Sequence, residues 1–211
     1  MKNLAGKFLS DPDKEKIRNA VKDAEKITSG EIVPMVVSSS YTYPVSNFIG
    51  GFIFALIIAL FAVFIKNNEH LWYFLTIFMP VFYTMYMLIK HNPKLKRLFI
   101  SDKEINEEVE EAAINQFFKH RLYKTKDQTG VLIYISVFER KVWVLADHGI
   151  NSRVNPSVWQ EIVDIIVKGI KEKKQGDAIT VAIAKTGEIL HTHFPCKKDD
   201  TDELSNLIIE K

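Results

Sequence analysis

The sequence of 211 residues has one cysteine, almost no net charge and no charged side chain in two long stretches. A single cysteine, Cys196, excludes an internal disulfide and fits a reducing compartment. A formal net charge of +2 is too small to indicate a nucleic-acid partner. No phosphate-binding glycine loop or nucleophile-elbow spacing occurs, so nucleotide-dependent chemistry has little support. The N-terminus lacks the apolar core of a cleaved targeting peptide, and we expect none.

The two uncharged stretches are long enough to cross a bilayer. Phe48–Ile65 has eighteen residues, Leu71–Ile89 has nineteen, and five mostly polar residues connect them. At about 1.5 Å per residue, each helix would cover most of the roughly 30 Å of hydrocarbon. Gly51, Ala55 and Ala59 recur every fourth residue and form a small face for helix packing. We therefore predict a transmembrane helical hairpin, which acts as an anchor because no ionisable residue lies inside either stretch.

The distribution of basic residues orients this hairpin. The connecting loop holds only Lys66, whereas four basic residues follow the second stretch: Lys90, Lys94, Lys96 and Arg97. By the positive-inside rule, that segment and both termini are predicted to lie in the cytoplasm. The lipid bilayer is thus the first predicted partner, and we expect the basic cluster to face its head groups.

The rest of the chain predicts one α/β domain that the hairpin divides. The first part is residues 1–40, with an amphipathic helix from an Asp11 N-cap to about Thr28 and a strand at Glu31–Val37. Residues 41–47 form a link, residues 48–89 the hairpin, and residues 90–211 the second part of the domain.

The second part alternates helices and strands. Ser101 and Glu104 have the capping-box spacing that begins a helix. Val131–Val137 and Lys141–Asp147 predict a β-hairpin, because the three residues between them cannot hold a crossover helix. A helical stripe through Trp159 follows. Four further predictions are a strand at Ala178–Ala184, a turn at Thr186–Gly187, a strand at Ile189–Phe194 and a short helix around Leu204–Ile209.

Four stretches, Thr28–Val33, Gly130–Ser136, Val144–Ile150 and Ile189–Pro195, resemble one known family in its own order. They look like the TPM-domain family, which includes thylakoid lumen proteins, photosystem II repair proteins and many bacterial membrane proteins. A hairpin after the first strand resembles a bacterial subgroup of predicted membrane proteins. The resemblance implies an α/β/α sandwich around a short mixed sheet, split by the hairpin, and a multi-pass location in the bacterial inner membrane.

Some relatives in that family have been assigned weak acid phosphatase activity or bind calcium through acidic loop residues. Here the loop after Asp147 lacks the paired carboxylates that a calcium site needs. If the fold brings Asp147, His148 and Arg153 near Glu31 and His193, a polar pocket could bind an anion through the Arg153 fork. Asp147, His148 and His193 are then the catalytic candidates, and Arg153 and Glu31 the ligand-binding ones. The alternative is that Asp147 caps a turn and Arg153 pairs on the surface.

A second group comprises His191, His193 and Cys196. On a strand, His191 and His193 would point to one face, and with the cysteine they could bind zinc or copper. A structural zinc site needs four ligands, so we expect no cofactor and keep a divalent metal as the alternative.

The sequence therefore predicts a membrane-anchored TPM-like domain that serves as a binding or scaffold module. Its role would lie in the assembly or maintenance of a membrane complex, with a membrane or cytoplasmic protein as partner. Two alternatives remain, a weak phosphatase-like hydrolase and a metal-binding module, so the sequence leaves open whether the protein is an enzyme.

Overall fold

The computed structural model describes residues 3–67, 70–196 and 204–210. They form two compact units. One unit is Tyr41–Ile105, and the other combines the segments before and after it.

The first unit is a helical hairpin with a short helix after it. Its helices are α3 (Pro44–Lys66), α4 (Leu71–His91) and α5 (Pro93–Arg97). The predicted pair of helices is confirmed, although α3 begins at Pro44, inside the segment predicted as a link. Ala55 and Ala59 are fully buried, and a Cβ added to Gly51 would lie 3.2 Å from the Tyr86 backbone nitrogen. The small-residue face of α3 therefore lets α4 approach closely.

The second unit is an α/β domain, and its elements are given in chain order. They are α1 (Leu4–Phe8), α2 (Asp11–Glu25), β1 (Glu31–Val37), α6 (Asp102–Lys119, which begins in the first unit), β2 (Gly130–Ser136), β3 (Lys141–Ala146), α7 (His148–Asn151), α8 (Ser157–Lys171), α9 (Gln175–His193) and β4 (Ile208–Glu210). The strand order is β3-β2-β1-β4, with β1 parallel to both neighbours and β2 antiparallel to β3. The mixed sheet of the prediction is confirmed.

Helices cover both faces of this sheet. One face carries Ile32 and Val36 of β1 with Val131, Ile133 and Ile135 of β2, and it packs against α1, α2, α8 and α9 in the main hydrophobic core. Alternate residues of the same strands point to the other face. There, Gln116 and Lys119 of α6 hydrogen-bond the carboxylate of Glu210 in β4, each at 2.8 Å. The fold is therefore the predicted α/β/α sandwich.

Pro34 lies within the central strand β1, where a missing N–H would ordinarily break a ladder. The strand β4 pairs only with Met35–Val37, so it does not reach Pro34. On the other side Pro34 lies opposite Ile133 of β2. The proline is tolerated because β1 is an edge strand over its first half.

Two predicted strands, Ala178–Ala184 and Ile189–Phe194, are wrong. Both lie in the single helix α9, and the predicted turn at Thr186–Gly187 is in its middle. The buried positions Ile179, Ala182, Ile183, Thr186 and Leu190 recur at three- and four-residue steps, which is the helical period. Gly187 serves packing: a Cβ there would lie 2.8 Å from the Ala24 Cβ of α2.

The predicted terminal helix around Leu204–Ile209 is also wrong. Residues Ile208–Glu210 form β4, which pairs in parallel with Met35–Val37. At the other end of the chain, Ser10 replaces Asp11 as the N-cap of α2, in a capping box with Asp13.

Candidate functional site

The candidate site lies at one end of the sheet, around Gly130 at the start of β2. Glu31 pairs with Gly130 on one side, and the Asp147 amide donates to the Gly130 carbonyl at 2.9 Å on the other. Glu31 and Asp147 are therefore two strand spacings apart, roughly 10 Å between Cα atoms. Gly130 is required here because an added Cβ would lie 2.4 Å from the Leu122 carbonyl oxygen.

Asp147 is the N-cap of α7. Its Oδ1 accepts a hydrogen bond from the His148 amide at 2.7 Å, so the predicted alternative of a turn-capping Asp147 is what the structure contains. Its Oδ2 is buried and has no hydrogen-bond partner among the residues that the structure describes. The His148 side chain points to solvent.

Arg153 lies against the C-terminal end of α9. Its Nη1 donates to the His193 carbonyl at 3.4 Å, and its Cζ lies 4.8 Å from the centroid of the Phe194 ring. A cation at a helix C-terminus and over an aromatic face is favourable in both respects. The structure thus brings Arg153 to His193, which was a condition of the predicted pocket, but the contact is with the His193 backbone carbonyl. Arg153 ties the loop after β3 to α9.

His191 and His193 lie on α9, so the prediction that a strand points them to one face is wrong. Two residues apart on a helix are about 200° apart around its axis. The His191 Nδ1 lies 2.5 Å from the Ile27 carbonyl oxygen, and Cys196 is exposed. Over the ranges 3–67, 70–196 and 204–210, no three His, Cys, Asp or Glu side chains form a group that could hold a metal ion.

Comparison with known proteins agrees with this architecture. Residues 97–189 match the family model of the TPM domain. The chain contains a TPM domain. The matched residues include β2, β3 and α8, whereas β1 and the α3–α4 hairpin lie outside the match.

One solved structure is similar over almost the whole chain. It is the NMR structure of the BA42 protein from the psychrophilic bacterium Bizionia argentinensis, with a TM-score of 0.61 and 24% sequence identity. The alignment covers 97% of this chain and 96% of that one. The likeness extends the agreement in fold beyond the matched TPM domain. No match is found among the curated proteins.

Sequence reasoning missed a buried carboxylate in the TPM domain. Glu139, in the β2–β3 turn, is fully buried. Its Oε1 accepts hydrogen bonds of 2.9 Å from the Ser39 hydroxyl and the Ser40 amide, and its Oε2 accepts one from the Ser136 hydroxyl. These contacts tie the point where the chain leaves β1 for the hairpin to the β2–β3 turn.

Tyr134 lies beside this cluster, and its hydroxyl is 3.1 Å from the Ser40 hydroxyl. Burial raises the pKa of Tyr134 to about 12, the Ser40 hydrogen bond opposes the shift, and the charges of Glu139 and Glu210 add to it. The tyrosine is therefore a neutral hydrogen-bonding group at physiological pH.

Glu210 connects β4 to the last turns of α6. Burial favours a higher pKa for this carboxyl, but the hydrogen bond and charge of Lys119, aided by Gln116 and His120, hold the pKa below its usual value. The Lys119 ammonium lies 2.8 Å from Glu210 Oε1. This carboxylate helps to hold β4, at the edge of the sheet, in place.

Proposed function

We propose that the α3–α4 hairpin spans the bacterial inner membrane and anchors the TPM domain, which binds a protein partner during assembly or maintenance of a membrane complex. The main support for the membrane anchor is the exposure of apolar side chains on the hairpin. Phe61, Phe64 and Trp72 are 64%, 82% and 78% exposed. Water-soluble monomers rarely expose apolar patches larger than a few hundred Å². Contact with lipid would remove these apolar side chains from water.

Packing within the hairpin supports the same proposal. Both helices are long and apolar enough to cross a membrane. The Phe48 and Phe82 rings meet edge to face with centroids 5.4 Å apart, and Phe52 meets Phe78 in the same way at 5.6 Å. Small residues and interlocked rings hold helices together in lipid, where the hydrophobic effect does not.

Orientation rests on charge. An even number of spans returns the chain to the side that it left, so both termini lie together. Lys90 lies in the last turn of α4 and is followed by Lys94 and Arg97, whereas Lys66 at the end of α3 is the single Lys or Arg at the other end of the hairpin, and this bias favours a cytoplasmic domain. Lys96 takes a different role from the one predicted for the basic cluster. It is buried, and its ammonium donates to the Thr42 carbonyl.

Membrane insertion is tested by fractionation. The full chain should sediment with membranes from lysed cells, resist extraction with alkaline carbonate and dissolve in mild detergent. Recovery in the supernatant after carbonate treatment would contradict the anchor.

The scaffold role is supported by the structural uses of the predicted site: Asp147 caps α7, and Arg153 ties a loop to α9. Affinity purification in mild detergent should recover a stoichiometric protein partner. The control is an unrelated protein with a transmembrane hairpin and the same tag. Recovery of the same proteins by both baits, or of the bait alone after cross-linking, would contradict the scaffold role.

One observation favours a second candidate, a weak phosphatase-like hydrolase that uses Asp147, His148 and His193. The buried Oδ2 of Asp147 has no hydrogen bond in the described part of the chain, and such groups are often functional. The purified protein should then hydrolyse p-nitrophenyl phosphate, and Asp147→Asn and His193→Ala should abolish turnover. Asp164→Asn, at an exposed carboxylate of α8, is the control. Equal rates in all four proteins would exclude this candidate.

A further inference from the structure

A cavity of about 370 Å³ opens beside the β2–β3 turn, on the sheet face that α1 and α8 cover. Five apolar side chains from α1, α8 and the end of β2 form its walls: Phe8, Ile135, Val137, Val167 and Ile170. Small-molecule sites are typically concave, mostly apolar and roughly 300–1,000 Å³ in volume. This cavity has the size and the walls of such a site.

Ser136 and three cationic side chains, Arg140, Lys141 and Lys171, complete the lining of the cavity, which includes no acidic residue from the described part of the chain. None of the three makes an ion pair or side-chain hydrogen bond with any residue in the described ranges. The single acid of the turn, Glu139, already accepts hydrogen bonds from Ser39, Ser40 and Ser136. Unpaired cations beside an apolar wall create a positive potential that attracts an anion.

The backbone of Arg140 gives a second indication. Its φ is 55°, in the left-handed region where glycine is the least strained residue. A non-glycine residue held in this region often belongs to a functional site. A long cation therefore stands at a turn position that glycine would occupy more easily.

We propose that this cavity binds a small monocarboxylate with an apolar body, such as a medium-chain acyl carboxylate. The acyl chain would lie against Phe8, Val167 and Ile170. The carboxylate would accept hydrogen bonds from the Arg140 guanidinium and the Lys171 ammonium, which are charge-assisted and directional. This site requires neither the membrane anchor nor the protein partner of the proposed function.

The test is photolabelling of the full-length protein in detergent. The probe is octanoate with a diazirine on its alkyl chain, and labelled peptides are mapped by mass spectrometry. We expect label on the cavity walls at Phe8, Val167 or Ile170. Unlabelled octanoate should compete, whereas octanol and octylamine, which lack the carboxylate, should not.

The variant Arg140→Gly/Lys171→Gln should raise the probe concentration for half-maximal labelling roughly tenfold, because charged hydrogen bonds are lost. Lys173→Gly is the matched control. It also removes a cation at a positive φ, here 59°, two residues from Lys171, but it does not line the cavity. Its labelling should equal that of the wild type.

Three results would overturn the proposal: label confined to α3 and α4, competition by octanol equal to that by octanoate, or unchanged half-maximal labelling in the double variant. Thermal unfolding of each variant shows whether the domain is folded. If the double variant is unfolded, Lys171→Gln alone serves, and it should weaken labelling at least severalfold; no change would again refute the site.

Discussion

Buried polar side chains of the TPM domain gather where the chain leaves β1. Glu139 is fully buried, and its carboxylate accepts hydrogen bonds from Ser39, Ser40 and Ser136. The three hydrogen bonds depend on one acceptor, because removal of the Glu139 carboxylate would leave several buried donors without partners. The cluster is more important to folding than its position in a turn would suggest.

Glu139→Ala should therefore destabilise the domain by about 2–4 kcal/mol, since each unsatisfied buried donor costs about 1–3 kcal/mol. The measurement is thermal unfolding in detergent, followed by tryptophan fluorescence. Glu161→Ala is the control. Glu161 pairs with Lys185 at the surface, where ion pairs contribute less than about 1 kcal/mol. Equal unfolding temperatures for the two variants would contradict the role of Glu139.

Tyr134 predicts a loss of stability at alkaline pH. The unfolded side chain ionises near the ordinary tyrosine pKa of 10.0, whereas burial raises the pKa of the folded side chain to about 12. Its contribution is therefore complete below pH 10 and is lost as the pH rises from 10 to 12. Between pH 9 and 11 the loss should be on the order of 1 kcal/mol.

Denaturant unfolding at these two pH values measures this loss. Tyr134→Phe should remove that part of the pH dependence, whereas Tyr123→Phe, at a tyrosine that is 40% exposed, should retain it. A Tyr134→Phe protein with the pH dependence of the wild type would show that the tyrosine is not responsible.

The sequence predicted the candidate site only in part. The capping role of Asp147 follows from local spacing, whereas the proximity of Arg153 and His193 was only a condition of the predicted pocket, because the two residues lie 40 positions apart in the sequence. Glu139 was missed because its partners Ser39 and Ser40 are about a hundred residues away along the chain, a distance that no local pattern reveals.

Individual helices and strands were predictable where the pattern was long or unambiguous. The strands β1, β2 and β3 agree with the prediction to within one residue at each end, because runs rich in Val and Ile are bounded by polar turns. Helix α9 was missed because Ala178–Ala184 is a short apolar run, and periodicity over seven residues does not separate a strand from a buried helix. Packing of residues 175–193 against α2 and α8 favours one helix over two strands.

The close packing of α9 against α2 predicts the effect of adding one methyl group at Gly187. Gly187→Ala should destabilise the domain by about 1–3 kcal/mol, because the new Cβ would lie 2.8 Å from the Ala24 Cβ in the α2–α9 contact. Val181→Ala is the control on the same helix, since Val181 is 55% exposed and alanine favours helix. Thermal unfolding compares the two. A stable Gly187→Ala protein would mean that α2 and α9 pack less closely than described.

The chain carries a cysteine that can be used to test the proposed membrane topology. Cys196 is its single cysteine and is exposed on the α/β domain. With a cytoplasmic domain, a membrane-impermeant maleimide should label inside-out vesicles and leave intact spheroplasts unlabelled. Labelling of spheroplasts would place the domain outside the cell and reverse the proposed orientation.

The double variant His70→Cys/Cys196→Ser provides the matched control. His70 is exposed at the start of α4, beside the loop that connects the two helices of the hairpin. It should react in spheroplasts and be protected in inside-out vesicles. Equal reaction of both cysteines from the same side would mean that the hairpin does not cross the bilayer.

Parallel pairing of β1 with β2 has a consequence for biogenesis. The seven residues of β1 are all buried, yet their partners in β2 and β4 follow the hairpin in the sequence. On the ribosome, the hairpin emerges while β1 still has no sheet to join. Strand β1 therefore remains without its sheet partners until the residues after the hairpin have been synthesised. If the hairpin inserts as proposed, the sheet is therefore completed only after the anchor has been made.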